Sequence, residues 1–181
     1  MSRARAPDSP SPGEGRTPER PGYRRRVPVE HQGNQNSSPE EAEVIKRLVA
    51  DILGSTTSWV DRDGVERAVG LEDILIIAPY NAQVFDLKER IPGATIGTVD
   101  KFQGQEAPIV IYSMTTSTHA DAPRGMGFLY SLNRLNVATS RAKALSILVC
   151  WPELFEPECR TPEQMKMANA FCRYLEMAKT L

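Results

Sequence analysis

Long hydrophobic runs are missing from this sequence of 181 residues. The longest, such as Ile74 to Ala78 and Ile109 to Tyr112, reach about a quarter of the roughly 20 residues that cross a bilayer, so no segment is expected to span a membrane. Cysteine is scarce as well. Cys150, Cys159 and Cys172 are odd in number and lack C-x-x-C spacing, which argues against a disulfide framework and for a reduced, cytoplasmic setting. The N-terminus is rich in arginine and proline but has no apolar h-region, so it is not expected to act as a secretory signal. His31 and His119 have no partners at metal-ligand spacing, and no structural metal is expected. Net charge is close to absent, at −1, and with 40% hydrophobic and 25% charged residues the composition is that of a soluble globular chain. At about 100–150 residues per domain, the length leaves room for one core and a tail; a function that needs two lobes needs a partner.

The small net charge hides an uneven distribution. Residues 1–26 carry seven arginines against Asp8, Glu14 and Glu19, a net +4, which leaves −5 for the rest of the chain. Six of the 14 prolines lie at or before Pro28. With almost no large apolar side chains this segment cannot offset its ordering entropy, so residues 1–37 are expected to be a disordered, solvated tail. A basic arm for nucleic acid is the alternative, and interleaved aromatics would be needed to favour it.

The folded part, residues 38–181, is expected to open with Ser38-Pro39-Glu40-Glu41, a capping box with proline at the first helical position. Ile45, Leu48, Val49 and Ile52 then form one apolar stripe, and Gly54 supplies the stop. A small hairpin is expected over Asp61-Arg62-Asp63-Gly64. Four β-branched runs follow, at 74–77, 95–99, 109–112 and 145–149, alternating with helical stretches near 81–91, 131–142 and 162–178. Three of the runs are almost continuous rather than alternating. Strands covered on both faces require that, so the fold class is α/β with a mostly parallel sheet. The last helix opens with a second capping box at Thr161-Pro162-Glu163-Gln164, and Met165, Ala168, Phe171, Cys172 and Leu175 form its expected core stripe.

Ligands of such sheets bind beyond strand ends, which directs attention to three segments. Ala78-Pro79-Tyr80-Asn81-Ala82-Gln83 follows the first run and reads, by itself, as a turn into a helix. Asp100-Lys101-Phe102-Gln103-Gly104-Gln105-Glu106 lies between two interior runs. Its carboxamides and carboxylate can orient water or a ribose hydroxyl, and can equally cap the next element. Asn133 to Lys143 forms the third. Arg134 and Arg141, seven apart, fall on one side of a helix two turns apart, and a guanidinium fork suits phosphate oxygens. A solvated helix face with ordinary ion pairs is the plain alternative.

In this order and spacing the three segments resemble motifs IV, V and VI of superfamily 1 helicases, in the branch of the nonsense-mediated-decay helicase and the Okazaki-fragment nuclease-helicases. Ile76 to Gln83 resembles motif IV, Thr98-Val99-Asp100-Lys101-Phe102-Gln103-Gly104-Gln105-Glu106 motif V, and Leu132-Asn133-Arg134-Leu135-Asn136-Val137-Ala138-Thr139-Ser140-Arg141-Ala142 motif VI. Gly104 to Pro108 and Arg124-Gly125-Met126 before Phe128-Leu129 are similar to bacterial proteins that join a RecB-like nuclease to such a helicase. The resemblance, over residues 38–155, implies a three-layer, second RecA-like domain that shares ATP and Mg²⁺ with a first one. It further implies nucleotide roles for Gln103, Gly104 and Glu106, a γ-phosphate finger at Arg141 with Arg134 in support, and Tyr80 and Gln83 along the motif IV side. Thr98 and the loop after Met114 would lie nearer a single strand, DNA or RNA.

Two departures qualify it. Where family members commonly carry an arginine beside the motif IV glutamine, Val84 and Phe85 stand here. A P-loop needs Gly-Lys, because its lysine and amides hold the phosphates, and these 181 residues contain no Gly-Lys pair. The family-like register begins only near Arg26, so the chain reads as the C-terminal half of a helicase, a fragment or one gene of a split pair, inactive as an ATPase alone. A docking module that keeps the fold without catalysis is a second reading, and an unrelated nucleotide-binding α/β enzyme a third.

Overall fold

A computed structural model describes residues 23–102 and 104–181, and at positions 132, 133, 137 and 138 the backbone alone. Its centre is a sheet of six strands among the described residues. In chain order these are β1 (Tyr23–Pro28), β4 (Ile74–Ile77), β5 (Thr95–Gly97), β6 (Ala107–Ser113), β7 (Ala142–Cys150) and β8 (Lys179–Thr180), arranged β5-β4-β6-β7-β1-β8 with every pairing parallel. β2 (Ser58–Val60) and β3 (Glu66–Ala68) form the expected antiparallel hairpin outside it.

Strand pleating splits the core in two. Ile74, Ile76, Ile109, Ile111, Ile147 and Val149 face α1 (Pro39–Gly54) and α2 (Asn81–Arg90). Leu75, Ile77, Val110, Tyr112, Leu148 and Cys150 face the other layer, with α3 (Met126–Leu129), α4 (Leu132–Ser140) and α5 (Pro162–Met177). Ile74, Ile76 and Ile77 of β4 and Ile111 of β6 are fully buried, each contributing about 1.5–3 kcal/mol relative to exposure. This is the three-layer, parallel α/β architecture that the continuous apolar runs predict.

Three local expectations are corrected. Order does not wait until Ser38: Tyr23–Pro28 is a strand between β7 and β8, with Val27 opposite Val149 and Arg26 opposite Thr180. Its arginines lay their aliphatic stems on the sheet and send their heads outward, where Arg26 Nε donates to Thr180 Oγ1 (2.9 Å) and Arg24 Nη1 to Met177 Sδ (3.2 Å). Residues 29–37 also pack, with Val29 and His31 buried, while residues 1–22 lie outside the described region.

At the start of α1, Ser38 Oγ accepts from the Glu41 amide (3.2 Å), but the Glu41 carboxylate does not reach back to the cap. It is buried and bonded elsewhere, as described below. In α5 the expected box is complete, with Thr161 and Gln164 bonded in both directions at 3.2 Å. Its stripe, however, turns towards Tyr174, whose hydroxyl lies 3.0 Å from Ser146 Oγ, and leaves Met165 51% exposed.

Candidate functional site

Helix α4 runs antiparallel to the strands it covers, and that separates the residues that the sequence groups together. Arg134 lies in its first turn, near the carboxyl ends of the strands. Arg141 follows its last residue, at the amino end of β7, and accepts the Ala107 amide on its carbonyl (3.0 Å). Two turns of helix place about 10 Å between the two positions. The candidate residues therefore fall at two edges of the sheet.

At the amino edge an open cleft of about 670 Å³ is lined by Trp59, Asp61, Arg62, Glu106, Ser140 and Lys143, among others. The hairpin supplies one wall. Asp61 fixes its turn by accepting the amides of Asp63 (2.9 Å) and Val65 (3.0 Å) and the Arg67 Nε (2.7 Å), and these bonds hold its carboxyl below the usual range, the Arg67 contact most of all. Glu106 faces Arg62 at 3.3 Å, both side chains well exposed. Gly104 adopts φ +89°, a left-handed conformation that glycine takes without the Cβ penalty, and so turns the chain towards β6. Arg141 stands between Ser140 and Ala142, both of which line the cleft. Its Nε is buried with no hydrogen-bond partner among the described residues. Gln103, expected beside Gly104, lies outside the described residues.

At the carboxyl edge Tyr80 precedes α2 and is 8% exposed. Its ring lies 5.5 Å from that of Phe128, centroid to centroid. Thr116 lies close enough to hydrogen-bond the buried Tyr80 hydroxyl and bears on its acidity. Burial pushes the phenol up, and Thr116, Arg124 and Arg134 oppose the shift. Arg134 Nη2 lies 3.4 Å from Asp100 Oδ2. Thr98 follows β5 and is half-buried.

Gln83 departs from expectation. It is fully buried, accepts the Ser38 amide on Oε1 (2.7 Å), and directs Nε2 to Ser38 O and Ser113 Oγ, both at 3.1 Å. Its amide ties α1 to β6 rather than lining a nucleotide face, because a buried carboxamide bonds to whatever backbone is nearest.

Next to Gln83 is a network that the sequence does not announce. Glu41 Oε2 accepts Ser113 Oγ (2.5 Å) and the Thr115 amide (2.9 Å), and Oε1 lies 3.1 Å from His31 Nε2. His31 Nδ1 is 2.8 Å from Ser117 Oγ. Both side chains of the pair are fully buried. Thr115 has φ +71°, unusual for a β-branched residue, and the bond from its amide to Glu41 holds it there. In sequence His31 is a loop histidine and Glu41 a capping glutamate; no local signal marks either as interior.

A six-stranded parallel sheet covered by helices on both faces is a three-layer α/β fold of the RecA-like type. The AAA_12 family, described as an AAA domain, matches residues 23–153, and the chain belongs to that family. The match begins at the first residue of β1. A probable helicase of Dictyostelium discoideum is 40% identical over 94 residues, 45% of this chain and 10% of that protein. The DNA replication ATP-dependent helicase/nuclease JHS1 of Arabidopsis thaliana is 30% identical over 118 residues, 64% of this chain and 8% of that protein. The probable RNA helicase armi of Drosophila melanogaster is 39% identical over 95 residues, 48% of this chain and 8% of that protein. The matched stretch is thus about a tenth of each relative's length, and the chain is a helicase-like domain. Among the described residues no helix is long and apolar enough to cross a membrane.

Proposed function

We propose that the chain is the second RecA-like motor domain of an ATP-dependent nucleic-acid helicase, of the branch close to bacterial nuclease-helicase fusions. It completes a nucleotide site shared with a first RecA-like domain, in cis or in trans. The observation that carries the reading is Arg141, which stands directly after α4 between two residues that line the amino-edge cleft and whose buried Nε has no hydrogen-bond partner among the described residues. A permanently charged fork left unbonded in this way suits the charge that develops on a transferring phosphoryl group. Glu106, whose ion pair with Arg62 is exposed, is free to exchange Arg62 for a ribose hydroxyl. These two residues fit the polar edge of a nucleotide; ATP would supply the phosphoanhydride, and the P-loop and Mg²⁺ ligands belong to the partner domain.

The test is reconstitution. The full chain is combined or fused with a first RecA-like domain, and ATPase is measured with and without single-stranded DNA or RNA. Stimulated turnover is expected, and Arg141→Ala should reduce kcat by about 10³-fold or more with an unchanged circular dichroism spectrum. Undiminished turnover in that variant overturns the role of Arg141.

Gln83 favours a second reading. With its amide bonded inside the protein and Val84 beside it, the motif IV face offers a nucleotide little, as a docking module would. Nucleic-acid binding at low salt without any reconstituted ATPase would favour this reading over the motor.

A further inference from the structure

Phe128, in the short helix after the loop that follows β6, has two cations on it. The Arg124 Cζ lies 4.0 Å from the ring centroid and the Arg134 Cζ 4.1 Å. Both guanidinium groups therefore stack against the one ring. The turn that brings Arg124 back over the ring depends on Gly125, whose φ of +73° is left-handed. Stacking restrains both forks, which removes much of the ordering cost of binding.

The charge around the ring is unbalanced. Arg134 has Asp100 at 3.4 Å, but that carboxylate is 78% exposed and holds it weakly. Arg124 forms no ion pair among the described residues and is exposed. Tyr80 packs its ring 5.5 Å from that of Phe128, centroid to centroid. The cluster stands at the carboxyl edge, where open α/β sheets bind ligands, away from the Arg141 cleft.

We propose that Arg124 and Arg134, both stacked on Phe128, form a phosphate-binding clamp at the carboxyl edge of the sheet. Fixed guanidinium forks select phosphate oxygens by shape and charge. Two forks on one ring suit a ligand that presents neighbouring phosphate groups, as the phosphodiesters of a single strand or the phosphates of a nucleotide do. The strand as source rests on the motor reading; the clamp itself does not.

The experiment uses the full chain, with fluorescein-labelled oligothymidylate and a fluorescent ATP analogue in separate anisotropy titrations at several salt concentrations. Arg124→Gln is expected to weaken binding of one probe and to reduce the slope of log K against log salt by about 1. Phe128→Leu keeps both charges but frees them, and is expected to weaken the same probe. Arg47→Gln, an exposed site on α1, should change neither titration. Loss confined to oligothymidylate identifies a strand as the source, and loss confined to the analogue identifies a nucleotide. If neither probe binds the unaltered chain at low salt, or if Arg124→Gln leaves both titrations unchanged with its melting temperature intact, the clamp is overturned. Because ATPase of the reconstituted motor is not the readout, Arg141→Ala and Arg124→Gln can fail independently.

Discussion

The two edges of the sheet solve opposite problems with similar residue types. At the carboxyl edge, Glu41, His31, Gln83 and Ser113 are buried and bonded to one another, and they lock the loop after β6 against the start of α1. At the amino edge, Glu106 and Arg62 face water across an open cleft, paired at 3.3 Å but well exposed. A carboxylate in the first setting is part of the fold, because removing it leaves desolvated partners unpaired. In the second setting it is available to a ligand, because water has already screened its partner. Glu41 and Glu106 are the same side chain with different jobs, and burial is what separates them.

The comparison breaks most readily at Glu41. Glu41→Ala should cost about 3–5 kcal/mol in urea unfolding, since it strands His31, Ser113 and the Thr115 amide in a dry interior. A loss below about 1 kcal/mol would mean that water enters the network. Gly97, at the carboxyl end of β5, sharpens the contrast through packing. A Cβ there would stand 2.8 Å from Lys101 Cδ and 2.9 Å from Phe102 Cε2. The lysine can swing away but the buried ring cannot, so Gly97→Ala should cost about 1–3 kcal/mol by the same assay. The smallest effect is expected at the open edge. Arg62→Gln should change stability by less than about 1 kcal/mol; a larger loss would show that the hairpin and Glu106 form a structural unit rather than an open site.

Much of the fold is legible in the sequence, element by element. Caps at Ser38 and Thr161 mark helix starts, and continuous β-branched runs mark interior strands, because backbone bonding and face periodicity are local requirements. β1 is not legible. Its Arg24-Arg25-Arg26 run, beside prolines, has the composition of a tail, and it becomes a strand only because β7 and β8 offer backbone partners and surface for the arginine stems. The motifs single out Gly104, Glu106, Arg134 and Arg141 as candidates, but not the side chains that the fold places beside them. Arg62 is distant in sequence from Glu106, and the Arg124 to Leu129 stretch, though family-like, does not say that Arg124 and Arg134 meet on Phe128; these pairings enter only through contacts.

What the sequence determined by itself is the class of fold, from hydrophobic period and capping chemistry, and the segments in which polar chemistry is concentrated. Tertiary structure alone decided which end of the sheet each residue serves. The direction of α4 sends Arg134 to the carboxyl edge and Arg141 to the amino edge, and burial makes Gln83 and Glu41 parts of the frame. Direction and burial belong to the packed chain, since each depends on which surfaces meet, and no local stretch of sequence contains that information.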